Sequence, residues 1–155
     1  MGLHHVGLRV ADLDRATGFY RQLGAEVLAP PLALGGRGAA LAMAASPEIR
    51  VRIVLLAFPD GTGVELFEFG GPTRPDWLEQ PHADARLPHL GIQVDDVDAA
   101  LDRAERAGGA RLWPKPSHWG PVRVVYLHDP DRNVVELLDG PLSAVAAVAG
   151  GNGGD

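Results

Sequence analysis

Two histidines and two glutamates of this chain stand in matched settings. His5 and His89 each sit in an apolar, strand-like run, and Glu65 and Glu136 each sit at the centre of a Val-Glu-Leu triplet. Two imidazoles and two carboxylates are donors that suit a divalent first-row ion. A carboxylate among apolar neighbours is costly to bury unpaired. Glu65, beside Val64, Leu66 and Phe67, and Glu136, between Val135 and Leu137, must therefore face solvent or a partner. A bound cation would neutralise both at once. One such histidine alone reads more simply as a hydrogen-bonded structural residue. The recurrence of all four in pairs is what points to ligation.

The pairs come from an internal repeat. "LHHVGLRVADLDRA" (Leu3–Ala16) aligns with "LPHLGIQVDDVDAA" (Leu87–Ala100), and seven of the fourteen positions are identical, which marks a tandem duplication. "GVELFEFG" (Gly63–Gly70) echoes "NVVELLDG" (Asn133–Gly140) in the same way. Each half opens on a histidine strand and closes on a glutamate strand. A unit of roughly 70 residues buries its core poorly alone. The halves are therefore expected to share a core and, packed face to face, to bring the four donors together.

The elements that must position these residues follow from periodicity. Leu3–Val10 alternates as a half-buried strand, with Val6, Leu8 and Val10 on one face and His5, Gly7 and Arg9 on the other. Asp12 caps a helix over Leu13–Leu23 that Gly24 ends. A short strand, Glu26–Ala29, leads into a Gly/Pro/Ala-rich loop from Pro30 to Pro47 with a helical turn near Leu41. Strands Ile49–Phe58 and Val64–Phe69 are joined by the turn "PDGTG". The second half repeats this order. His89–Asp95 is a strand, and Asp96 caps a helix over Val97–Ala107 that Gly108 and Gly109 end. Ala110–Trp113 is a strand, "PKPSHWGP" a loop, and Val122–His128 with Val134–Leu138 a hairpin around "DPDRN". The fold class is α+β, with β-α-β-β-β occurring twice. The modules cover residues 1–70 and 88–140 of one structural domain, joined by a linker at 71–87. The tail at 141–155 starts apolar and ends Gly-rich, and its last five or six residues are expected to be disordered.

Composition narrows the function. Of 155 residues, 46% are hydrophobic and 22% charged, enough for a real core and too ordinary for global disorder. A net charge of −6 without any basic cluster argues against a nucleic-acid partner. The absence of cysteine excludes disulfides, thiolate metal sites and thiol nucleophiles. No apolar run approaches membrane-spanning length, and Met1 to His5 lacks the basic and apolar regions of a signal peptide. A soluble cytoplasmic protein with no membrane partner is expected.

With these motifs in place, the sequence resembles the vicinal oxygen chelate superfamily, the glyoxalase I, bleomycin-resistance and extradiol dioxygenase group. "HHVGLRVADLDRATGFY" and "HLGIQVDDVDAA" look like the opening strand and helix of its two modules, and "VYLHDPDRNVVEL" like its closing hairpin. The resemblance spans Leu3 to about Leu138. It implies two tandem βαβββ modules forming a curved, cup-shaped mixed sheet. It also implies one divalent metal ion (Ni, Zn, Co, Mn or Fe) that chelates two neighbouring oxygens of a small-molecule substrate, and a homodimer. His5 and Glu65 match the first module's ligand positions, and His89 and Glu136 match the second's.

The lead reading is a metal-dependent lyase or isomerase of the glyoxalase I or epimerase kind. The ion acts as a Lewis acid on a carbonyl or enolate oxygen. In such members a ligand glutamate serves as base; here that is Glu136, with Glu65 its symmetric counterpart. Arg9, on the side of His5, is a candidate to hold a substrate carboxylate. Phe67, His118, Trp119 and Tyr126 are candidate substrate contacts. Ile49–Phe58 contains no glutamate to match the epimerase branch's extra base; Arg50 and Arg52 stand there instead. An extradiol iron(II) dioxygenase is the alternative. His5, His89 and Glu136 would then ligate the iron, and Tyr126 and His118 would position a catechol. Arg132, in place of a glycine, and the fourth ligand Glu65 count against it. A non-catalytic binding or resistance protein is the third reading, with a dry cup lined by Trp77, Trp113 and Trp119.

Overall fold

Both core helices start where an aspartate can cap them. In the computed structural model, which describes residues 3–36, 48–70 and 87–151, Asp12 Oδ1 accepts from Arg15 N at 2.9 Å and Asp96 Oδ1 from Ala99 N at 3.0 Å. These bonds satisfy a backbone donor that the first helical turn leaves open. The helices that follow are α1 (Leu13–Gln22) and α2 (Val97–Arg106). Each buries one stripe: Leu13, Ala16, Phe19 and Tyr20 in α1, and Val97, Ala100, Leu101 and Ala104 in α2. Gly24 and Gly108, at φ 102° and 94°, take the left-handed turn that ends each one.

The chain divides into two compact units, Met1–Glu79 and Gln80–Asp155. The first holds β1 (His5–Val10), β2 (Glu26–Val27), β3 (Leu32–Gly35), β4 (Arg50–Ala57) and β5 (Gly63–Gly70). Its sheet runs β1-β5-β4-β2, with β3 following β2 along the same edge of β4. The second holds β6 (Leu90–Gln93), β7 (Ala110–Arg111), β8 (Ser117–Trp119), β9 (Val122–His128) and β10 (Val134–Leu138), in the equivalent order β6-β10-β9-β7 with β8 on β9. Within each sheet the histidine strand pairs parallel to the glutamate strand, and the remaining pairs are antiparallel. This is an α+β fold with two mixed sheets of βαβββ-like modules, the arrangement expected from the repeat.

Alternation decides which face of each sheet its helix covers. In the first unit Leu8, Val10, Val54, Leu56, Val64 and Leu66 are buried on the α1 side. In the second, Ile92, Val125, Leu127, Val135 and Leu137 are buried on the α2 side. Each such side chain contributes about 1.5–3 kcal/mol of burial. The opposite faces carry the polar residues of interest beside a second set of buried side chains, Val51 and Ile53 in one unit and Val122 and Val124 in the other.

Three elements differ from expectation. β3 and β8 lie in segments read as loops, so each module has a fifth strand. Ser117, His118 and Trp119 are all exposed, so β8 carries no burial pattern to betray it. β3 likewise buries nothing fully. Edge pairing with the backbone of β4 and β9 makes these strands, and periodicity does not report it. The tail forms a third helix, α3 (Leu142–Gly151), where Ala144 N and Val145 N bond to Pro141 O. Alanine-rich sequence after a proline favours this. The helical turn expected near Leu41, Trp77, all of the linker but Leu87, and the final four residues lie outside the described residues. No described helix is long and apolar enough to cross a membrane.

Candidate metal half-sites

Strand register places the histidine and glutamate of each unit on one face. β1 pairs with β5 so that Gly7 lies opposite Glu65, and β6 pairs with β10 so that Gly91 lies opposite Glu136. His5 and His89 each stand two residues before that glycine, and side chains two apart share a face. His5 Nε2 lies 3.3 Å from Glu65 Oε2, and His89 Nε2 lies 3.3 Å from Glu136 Oε2. Both pairs are partly exposed, on the face away from the helix.

Glycines flank both pairs, with different tolerances. Gly91 leaves open the spot beside Glu136, where an added Cβ would stand 3.6 Å from Oε2. At Gly7 an added Cβ would meet the Phe67 ring at 3.1 Å, because that ring lies over the glycine. Gly63 sits against His5 itself: a Cβ there would come within 2.9 Å of His5 Cβ and 3.1 Å of the His4 carbonyl oxygen. Gly7 and Gly91 recur in the repeat and could have been read from it as positions of close approach. Gly63 has no glycine counterpart, since Val134 occupies the matching place.

The donor set suits a metal. Two donors bound at about 2.1 Å to one first-row ion sit about 3.0–3.4 Å apart, which is the separation seen in each pair. Imidazole nitrogen with carboxylate oxygen fits zinc, nickel, cobalt, manganese or iron(II). Among the described residues no group of three or more His, Asp or Glu is gathered, so each unit by itself presents two of the expected donors.

The two half-sites have different surroundings. Across β9 from Glu136 stands Tyr126, whose hydroxyl donates to Glu136 Oε1 at 2.7 Å. Its ring meets His89 edge-on at 5.4 Å and packs on Trp113 at 4.9 Å between centroids. Burial first, and then the bond to Glu136 and that carboxylate's charge, push the phenol's pKa well above its ordinary value. Across β4 from Glu65 stands Leu55, which offers no donor. His5 instead has a histidine neighbour, His4, with the two Nδ1 atoms 2.7 Å apart.

The remaining candidates divide by face. Arg9 lies on the His5 face with its guanidinium carbon 5.5 Å from the Phe69 ring centroid, and partial burial lowers its pKa. Phe67 stacks on Phe69 on that same face. Trp119 pairs with Val122, which puts it on the Tyr126 face, where it is exposed. His118 pairs with Arg123, whose guanidinium holds Asp98 of α2 at 2.8 Å. His118 therefore points to the helix side, away from Glu136, and the expectation that it contacts substrate beside Tyr126 does not match its placement. Arg52 faces α1, bonding Glu68 at 3.2 Å and Asp14 at 3.4 Å, while Glu68 Oε2 also accepts from Leu13 N at 2.8 Å. Val51, Ile53, Leu55 and Ala57 are the β4 residues on the Glu65 face.

The comparisons with known proteins agree with this architecture. Residues 2–137 match the family model "Glyoxalase/Bleomycin resistance protein/Dioxygenase superfamily". The chain is 30% identical to a 2-epi-5-epi-valiolone epimerase of Actinomyces sp., covering 93% of this chain and 82% of that one. It is 34% identical to an ethylmalonyl-CoA/methylmalonyl-CoA epimerase of Cereibacter sphaeroides, over 87% and 95%. It is 28% identical to a lactoylglutathione lyase of Haemophilus influenzae, over 90% and 93%. Among solved structures, a glyoxalase family protein from Bacillus cereus superposes with a TM-score of 0.79 at 20% identity, over 90% of this chain and 93% of that one. The fosfomycin resistance protein FosX from Listeria monocytogenes, complexed with manganese(II) and sulfate, does so at 0.57 and 20%, over 92% and 95%. A repeated histidine strand, a repeated glutamate strand and a family match over nearly the whole length lead to one conclusion: the chain belongs to the glyoxalase/bleomycin resistance protein/dioxygenase superfamily.

Proposed function

We propose that the protein is a divalent-metal-dependent lyase or isomerase acting on a small substrate with an exchangeable C–H beside a carbonyl. The observation that carries this reading is the twin His–Glu pair, each at 3.3 Å, partly exposed, and on the face of its sheet away from the helix. His5, Glu65, His89 and Glu136 are the metal ligands. When bound, the ion supplies positive charge where negative charge develops on a substrate oxygen. The chain's own work is proton transfer. A glutamate carboxylate takes the proton as the C–H bond breaks, and the electron pair moves toward the adjacent carbonyl. That carboxylic acid then returns the proton to the neighbouring carbon, or, for inversion, the other glutamate in its acid form protonates the opposite face of the same carbon.

Two relatives named as epimerases and one named as a lactoylglutathione lyase support this class of reaction. Arg9, Phe67, Trp119 and Tyr126 share faces with the two pairs and are the proposed substrate-side residues. A small-molecule substrate and a homodimer belong to the same reading. The extradiol alternative loses one of its two positioning residues, because His118 shares the face of Arg123.

The test is solvent exchange. Metal-loaded protein is incubated in D2O with methylmalonyl-CoA, with 2-epi-5-epi-valiolone, and with the hemithioacetal of methylglyoxal and glutathione. Deuterium incorporation by one of them, abolished in the Glu65→Gln/Glu136→Gln double variant, is expected. No exchange with any of the three would contradict the reading.

A further inference from the structure

The duplication copies the scaffold more faithfully than the site. In both units an arginine of the central strand reaches the aspartate of the first helical turn, Arg52 to Asp14 and Arg123 to Asp98. At the position across from the site glutamate the copies part: Tyr126 in one, Leu55 in the other.

That difference commits the two carboxylates unequally. Glu136 has both oxygens engaged, Oε1 by the Tyr126 hydroxyl at 2.7 Å and Oε2 by His89 at 3.3 Å. A phenol donating to a carboxylate at this distance makes a short, charge-assisted bond. The phenol is itself held between His89 and Trp113. Among the described residues, Glu65 meets only His5, through Oε2, and its side chain is the more exposed, 21% against 13%.

We propose that Tyr126 is a positioning residue that holds Glu136 as the fixed member of the glutamate pair, leaving Glu65 as the member that exchanges the substrate proton. This rests on the metal-dependent reading above and assigns roles within it. Tyr126 touches Glu136 rather than the reacting atoms, so it acts through the order it imposes on a ligand. Glu65 can swing without breaking a second bond. The proton passes from the substrate carbon to a Glu65 oxygen and on to the neighbouring substrate carbon, with no other reactant consumed.

The experiment is cobalt(II) titration of the full chain, followed by visible absorption, and needs no substrate. Tyr126→Phe is expected to weaken cobalt binding about tenfold, the cost of losing an outer-shell partner. It adds nothing in a Glu136→Gln background, since the hydroxyl works through that carboxylate. Glu65→Gln weakens binding less than Glu136→Gln does, yet stops deuterium exchange on any substrate the parent protein turns over. Leu55→Tyr, which sets a hydroxyl opposite Glu65, tightens cobalt binding. Wild-type affinity in Tyr126→Phe overturns the proposal, as does a larger loss for Glu65→Gln than for Glu136→Gln. If Tyr126→Phe fails to fold, Leu55→Tyr decides alone, and unchanged binding there overturns it. A parent protein that binds no cobalt sinks the proposed function and this inference with it. A parent that binds cobalt with an indifferent Tyr126→Phe sinks the inference alone.

Discussion

The two half-sites hold the same pair of donors at the same 3.3 Å separation, yet they are built differently around it. The second is braced: Tyr126 bonds Glu136, and Gly91 beside it would accept a Cβ at an ordinary distance. The first is tight on the histidine side, where Gly63 lies under His5, and open on the carboxylate side, where Leu55 is exposed. Donor spacing is a property of register, which both copies inherited. Donor mobility is a property of cross-strand neighbours, which diverged.

The two half-sites differ most in their glycines. Gly63→Ala would press a Cβ to 2.9 Å from His5 Cβ and 3.1 Å from backbone oxygen. It should cost about 1–3 kcal/mol of stability and weaken metal binding more than about tenfold. Gly91→Ala meets its nearest atom at an ordinary 3.6 Å and should bind metal nearly as well as the parent. Denaturant melts and metal titration of the two variants check this, and equal effects would remove the asymmetry.

A second contrast lies at the strand ends. A Cβ at Gly140 would stand 2.5 Å from Val122 Cγ2, and Val122 is buried with a stiff χ1. At Gly70, which ends β5, the nearest atom is 3.7 Å away. Gly140→Ala is expected to lose about 1–2 kcal/mol and Gly70→Ala close to nothing, by the same melts.

The closing hairpins give a smaller effect of opposite sign. Gly61 and Arg132 occupy the same turn position, at φ 85° and 66°. The turns share their closing bonds, Phe58 N to Thr62 O and Asp129 N to Asn133 O, both at 2.9 Å. Only the arginine carries the left-handed strain, so Arg132→Gly should stabilise the protein by about 1 kcal/mol, raising its Tm by a few degrees.

The smallest effect is alkaline. The Tyr126 phenol has a raised pKa in the folded state, so its contribution is fully present below the unfolded value of 10.0 and is lost as pH climbs beyond it. Stability of the parent should therefore fall more steeply above that pH than stability of Tyr126→Phe. Parallel curves in chemical denaturation across that range would show the phenol to be uncoupled from folding.

Much of this architecture was legible because it occurs twice. The repeat of His5 at His89 and of Glu65 at Glu136 picked out both pairs, and Asp12 and Asp96 marked both helix starts. The first and last strands of each module alternate one buried face with one open face, so their period shows. β3 and β8 did not show, because an exposed edge strand has no period to read. Without β8, the parity that turns His118 toward the helix and Trp119 toward the site was hidden. The Tyr126–Glu136 contact depends on register across the "DPDRN" turn, a geometric consequence of five residues rather than of residue type. The Ala-rich tail held a helix signal that its glycines masked.

Metal stoichiometry on untagged protein purified without chelators decides whether the two pairs bind one ion. About one divalent ion per chain is expected, bound tightly in the parent and lost in both His5→Ala and His89→Ala. Loss in both variants would mean that the two pairs serve one ion. Two ions per chain, each removed by only one of the variants, would contradict the shared centre. No ion as purified, and none taken up on titration, would contradict metal-dependent chemistry altogether.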